Sequence, residues 1–104
     1  MEISQRYLAL FRQAPVMTAI LGQDGRILDV SDVWAARMGY SREELQGRRP
    51  RELASAPSAR RILEQYIPQF RETGRLDRLA VEFVTRDGST FEVFVTTTAE
   101  YAES

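Results

Sequence analysis

The chain has 104 residues, 43% of them hydrophobic and 28% charged, and its net charge is −1. That balance fits one soluble domain around one apolar core, with no broad field for nucleic acid or an anionic membrane surface. Cys, His and Lys are all absent, every one of the 14 basic residues being Arg, which removes disulfides, thiolate and imidazole chemistry, zinc–cysteine sites, Schiff bases and P-loop lysines. Only carboxylates, Ser/Thr and Tyr are left for catalysis, so no enzyme active site is expected within the chain. No apolar run approaches the roughly 18 residues of a membrane span, and no apolar h-region follows the N-terminus. The chain reads as cytoplasmic, without membrane insertion.

The first element runs from Glu2 to Gln13. Ile3, Tyr7, Leu10 and Phe11 recur at helical spacing, with Glu2, Gln5, Arg6 and Arg12 on the polar back. Pro15 ends it. Met17 to Leu21 and Arg26 to Val30 read as two strands around the turn Gln23-Asp24-Gly25. Ser31 or Asp32 can cap the following helix, which carries Trp34 and Met38 four apart and stops at Gly39.

Next comes Gly39-Tyr40-Ser41-Arg42-Glu43-Glu44-Leu45. Ser41 and Glu44 have the S-x-x-E spacing of a capping box, and Tyr40 and Leu45 can form the hydrophobic staple across it. Gly47 offers the stop. Arg48 to Ala54 reads as irregular or briefly helical, with Leu53 buried. The run Arg48-Arg49-Pro50-Arg51 lacks a glycine-rich cradle for phosphate and reads as solvated surface.

Ser55 to Thr73 is the longest helical pattern, with Ala59, Ile62, Leu63, Tyr66, Ile67 and Phe70 on one stripe. Pro57 suits its first turn, whereas Pro68 predicts a kink or break. Gly74 ends it. Leu79 to Arg86 and Ser89 to Thr98 are β-rich runs around Asp87-Gly88. A two-residue loop would pair Val84 with Phe91. Ala80, Glu82, Val84, Phe91, Val93 and Val95 would then share one face, and Leu79, Val81, Phe83 and Phe94 the other. Both faces would need a cover.

This order of elements resembles the PAS sensor domains. The resemblance rests on Ala14-Pro15-Val16-Met17, Thr18 to Leu21, Asp24-Gly25-Arg26-Ile27, the Gly39 to Arg48 segment, and Arg86-Asp87-Gly88-Ser89-Thr90-Phe91. It implies an α+β fold: a five-stranded antiparallel sheet with short helices on one face, enclosing a small pocket. Residues 1–14 would be an N-terminal amphipathic helix and 15–104 the core of a single domain. A fifth strand would have to follow Thr98, where few residues are left. The resemblance therefore implies a sheet lacking its last strand or a piece of a longer protein.

The resemblance also implies a sensory and interaction module of a bacterial signalling protein, of the two-component or cyclic-nucleotide kind, with its output in a linked domain. Ser31 stands where such domains usually have Asn. Arg60-Arg61 stands where haem-binding members carry His, and the reactive Cys of the light-sensing flavin members is absent. A haem held by His and a cysteine–flavin adduct are thus argued against. A non-covalent flavin stacked on Trp34, or another small organic ligand, stays open.

The pocket candidates are Trp34, Met38, Leu45, Leu53, Ile62 and Tyr66 from the helices, and Ile20, Val93, Val95 and Thr97 from the sheet. Thr97, Tyr66 and Glu82 are the polar candidates. Glu82 also reads more simply as a strand-margin residue that meets an Arg. The alternative is a closed core in a ligand-free dimerisation module. For a homodimer, the interface candidates are Ile3, Tyr7, Leu10 and Phe11 of the first helix, with Val81, Phe83 and Phe94 of the sheet. The helix could equally fold back on its own sheet.

Overall fold

The computed structural model describes residues 4–99, so Ile3 and the segment after Ala99 lie outside the described residues. The chain divides into two compact units. One contains residues 1–50 with the turn Thr85–Gly88, the other residues 51–84 with 89–104. The described residues hold four strands in two antiparallel pairs, together with short helices.

In the first unit, α1 (Gln5–Arg12) is capped by Ser4, whose side chain accepts from the Tyr7 amide. None of its residues is buried. Tyr7 and Leu10 are 58% and 68% exposed, while Phe11 is half-buried. Strands β1 (Ala19–Leu21) and β2 (Ile27–Val30) pair antiparallel, with Ala19 opposite Val30 and Ile20 opposite Asp29. Both are shorter than expected. The Asp24-Gly25 turn forms as read: the Gly22 amide donates to the Arg26 carbonyl at 2.8 Å, and Gly25 takes φ 81°. On its other edge β2 is met by the chain at Gly47 and Arg48, with two 2.8 Å bonds to Ile27.

Helices α2 (Asp32–Met38) and α3 (Arg42–Leu45) follow from their caps. Ser31 caps α2, and Gly39 ends it in the left-handed region at φ 81°. Ser41 and Glu44 make both bonds of the capping box on α3. Ile27, Val30, Trp34, Met38 and Leu45 are buried in this unit.

A 3₁₀ turn (Pro50–Leu53) carries the chain into the second unit, where Leu53 is buried, as expected. Ala54 then bridges to Phe83, the Ser55 amide donates to the Glu82 carbonyl, and the Ser58 hydroxyl accepts from the Glu82 amide at 2.8 Å. This clip lays α4 (Ala56–Arg61) on β3 (Arg75–Val84). From α4 the helix continues through a π turn (Ile62–Tyr66) into α5 (Ile67–Thr73). The π turn answers the problem posed by Pro68. The Ile67 amide reaches back to the Ile62 carbonyl, and Pro68 falls in the first turn of α5, where its missing N–H is tolerated. The inserted residue also rotates Leu63 off the expected stripe, leaving it 53% exposed.

The β3–β4 hairpin departs from the expected register. Val84 pairs with Thr90 and Phe83 with Phe91, because the loop spans Thr85 to Ser89. Its turn is closed by the Gly88 amide on the Thr85 carbonyl and by the Thr85 hydroxyl on Asp87. The faces regroup accordingly. Leu79, Val81 and Phe83 share a face with Phe91, Val93 and Val95, whereas Ala80, Glu82 and Val84 share the other with Thr90, Glu92 and Phe94 of β4 (Thr90–Thr98). Strand β3 also starts earlier than expected. A bulge between Leu76 and Leu79, with Arg78 at φ 54°, resets the alternation so that Leu76 and Leu79 both point inward.

Candidate functional site

The predicted pocket residues fall in both units. In the first, Trp34, Met38 and Leu45 are buried, the last two completely, and Ile20 is half-buried. In the second, Leu53 and Tyr66 are buried, while Ile62, Val93, Val95 and Thr97 are half-buried. The Tyr66 hydroxyl donates to the Ala80 carbonyl at 2.9 Å, which fixes the ring against β3. Its polar group is therefore already engaged.

Glu82 does not belong with Val93 and Val95. It lies in mid-strand on the opposite face, directly across from Glu92, with no Arg partner among the described residues. Half exposure lets water solvate it there, so the carboxylate escapes the penalty of a dry face. Val81 and Phe83 likewise leave the set of interface candidates. Each is 4% exposed within its own chain, on the inner face of the hairpin. Phe94 stays available at 67% exposure.

The inner face of β3–β4 is thus an apolar row: Val81 and Phe83 covered, and Phe91, Val93, Val95 and Thr97 half covered. Phe83 and Phe91 meet at 6.2 Å between ring centroids. A separate open recess of about 340 Å³ lies between Ala56, Pro57, Arg60, Arg61, Glu64 and Gln65. It contains none of the predicted residues, and its charged, open lining is unlike an enclosed apolar ligand site.

Two polar clusters in the first unit were not anticipated. Asp29 is 5% exposed in mid-β2. Its Oδ2 accepts from Arg12 Nε at 3.0 Å, and its Oδ1 accepts from Arg42 Nε at 2.9 Å and from the Val30 amide at 2.8 Å. Arg42 Nη2 also donates to Asp32 Oδ1 at 2.6 Å and to the Val30 carbonyl at 3.0 Å. The hydrogen bond to Asp32 raises the Arg42 pKa above its ordinary value, against the effect of burial, and Asp29 adds to the rise. An acid within the apolar run Ile27-Leu28-Asp29-Val30 was the available signal, since a buried carboxylate needs a cationic partner.

In the second cluster, the guanidinium groups of Arg48 and Arg86 lie 5.4 and 5.5 Å from the centroid of the Tyr40 ring. Arg86 also grips both oxygens of Glu44. Among the described residues, no helix is long and apolar enough to cross a membrane.

A family model described as PAS domain matches residues 15–104. No curated protein matches the chain. Among solved structures, it is similar to the PAS domain of an HTR-like protein from Haloarcula marismortui, with 29% identity and a TM-score of 0.63 over 88% of this chain and 78% of that one. It is also similar to the PAS domain of a LuxR-family transcriptional regulator from Burkholderia thailandensis, solved in complex with ethanol. That match has 28% identity and a TM-score of 0.68 over 83% of this chain and 75% of the other. A PAS domain from Colwellia psychrerythraea reaches a TM-score of 0.80 at 17% identity, covering 95% and 83% of the two chains, and so matches in fold.

Proposed function

Because the chain belongs to the PAS domain family, we propose that it is a sensory module that takes a small, largely apolar ligand on the inner face of β3–β4 and relays its presence through a second copy of the chain. The observation that carries this reading is the half-covered apolar row Phe91, Val93, Val95 and Thr97. Apolar side chains ending in one hydroxyl suit a small organic molecule with a single polar group. The similar Burkholderia domain, solved with ethanol, supports that ligand class.

In this reading the ligand shifts a two-state equilibrium by binding one state better than the other. The output lies in a covalently linked domain of a longer signalling protein, and the setting is cytoplasmic. Native mass spectrometry of the purified chain, with an absorbance spectrum, tests it. A retained organic mass, or a mass gained on titration with short alcohols and lost in Val95→Glu, supports the proposal. An unliganded mass throughout favours a second reading, a ligand-free pairing module. The exposed Tyr7 and Leu10 of α1 favour that one.

A further inference from the structure

Helix α1 buries none of its residues fully, and only Leu8 and Phe11 of its apolar side chains are half-buried, so apolar packing holds it to its unit only in part. A side-chain hydrogen bond ties it there, from Arg12 Nε to Asp29 Oδ2 at 3.0 Å. The same carboxylate is gripped on its other oxygen by Arg42, whose second arm goes to Asp32 in the first turn of α2. Two cations therefore face one buried anion. They repel each other, and each weakens the other's hold on the charge they share. We propose that Asp29 is a shared anchor that straps α1 to its unit, with Arg12 and Arg42 opposed across it. Displacing Arg42 tightens the strap, and drawing Arg42 further onto Asp29 loosens it.

The chemistry of the anchor makes release feasible. When Arg12 leaves, Asp29 Oδ1 keeps Arg42 and the Val30 amide, so no buried carboxylate is stranded. Arg42 stands at the first position of α3, beside the Ser41–Glu44 box, and reaches Asp32 on α2. Any change in the spacing of α2 and α3 must therefore alter how Arg42 divides itself between Asp29 and Asp32. That division sets how firmly α1, with its exposed Tyr7 and Leu10, is held. The inference stands whether or not a ligand binds at β3–β4.

Amide hydrogen exchange on the full chain, diluted until it scatters as a single copy, reads the strap directly. Arg12→Gln should speed exchange in α1 about ten-fold while the β2 and α2 amides hold their rates. Arg42→Gln should slow α1 exchange about three-fold, because Asp29 then serves Arg12 alone. Asp32→Asn, at an exposed carboxylate, should speed it about three-fold, because Arg42 then commits to Asp29. Unchanged α1 exchange in Arg12→Gln overturns the proposal. So does a shift of the same sign in Arg42→Gln and Asp32→Asn. If Arg42→Gln does not fold, Asp32→Asn decides alone, and slower or unchanged exchange in it overturns the anchor.

Discussion

Arg86, in the turn of the β3–β4 hairpin, holds Glu44 of the α3 capping box, with Nη1 2.8 Å from Oε1 and 2.9 Å from Oε2. Glu44 Oε1 also accepts from the Ser41 amide at 3.0 Å. The Ser41 amide, then the Ser41 side chain and the Arg86 charge, lower the Glu44 pKa below its ordinary value of 4.5.

The sign of the resulting pH dependence follows from that shift. A carboxyl group with a depressed folded-state pKa adds stability above its unfolded pKa and loses it as the pH falls through the folded one. The urea midpoint should therefore fall between about pH 6 and about pH 3, and by less in Glu44→Gln, which has no proton to take up there. Equal acid slopes in the two proteins would show that the box carries no charge-dependent stability.

Ser31 does more than cap α2. Its hydroxyl accepts from the Trp34 and Thr18 amides and donates to the Val16 carbonyl at 2.7 Å, and the residue is fully buried. Ser41 makes the ordinary cap bond at an exposed site. Ser41→Ala should cost about 1 kcal/mol, as cap losses do. Ser31→Ala should cost about 2–4 kcal/mol, because it also orphans the Thr18 amide and the Val16 carbonyl. Chemical denaturation should rank them in that order, and equal midpoints would contradict the wider role of Ser31.

Tyr66 offers a probe of the π turn. Tyr66→Phe keeps the ring but loses the bond to the Ala80 carbonyl, and should cost about 1 kcal/mol. Placing an extra residue within 62–66 should cost more, since it turns the buried Tyr66 away from β3. A denaturation midpoint unaffected by the insertion would mean that the ring's placement is immaterial.

What could be read in the sequence was local. Ser31, Ser41, Glu44, Gly39 and the Asp24-Gly25 turn act through atoms a few residues away, and all appear in the expected roles. What could not be read depends on distance or on a count of one. Asp87-Gly88 resembles a two-residue turn, and nothing local tells that Thr85 would join it and shift every cross-strand pair. The extra residue at Asp77–Arg78 lacks the Gly that usually marks a left-handed position. The π turn at Ile62 lacks any residue signature and shows itself only through Pro68. Asp29 finds its partners 17 residues before it and 13 after, beyond any periodicity. The candidate site divides in the same way. Burial of Trp34, Met38 and Tyr66 followed from helical spacing and that of Leu45 from its place in the staple, while the faces of Glu82, Val81, Phe83 and Phe94 turned on the hairpin register.

The last prediction concerns pairing of two copies. Tyr7 and Leu10 form an exposed stripe on α1, and Phe94 is exposed on the outer face of β3–β4 beside Ala80 and near Glu82 and Glu92. Glu82 and Glu92 face each other across the strands, an arrangement that disfavours an isolated sheet. A basic, apolar helix laid over them would relieve it, and α1 carries Arg6 next to Tyr7. A two-fold pair in which each α1 covers the partner's outer sheet face would satisfy both surfaces at once. Light scattering at tens of micromolar should then give the mass of two chains. Leu10→Glu should return it to one without loss of stability, because Leu10 is 68% exposed in the single chain. Glu82→Arg should also weaken pairing, by setting a cation against Arg6, and Arg6→Glu should restore it in the double variant. A single-chain mass for the unaltered protein, or a double variant no better paired than Glu82→Arg, would rule this arrangement out.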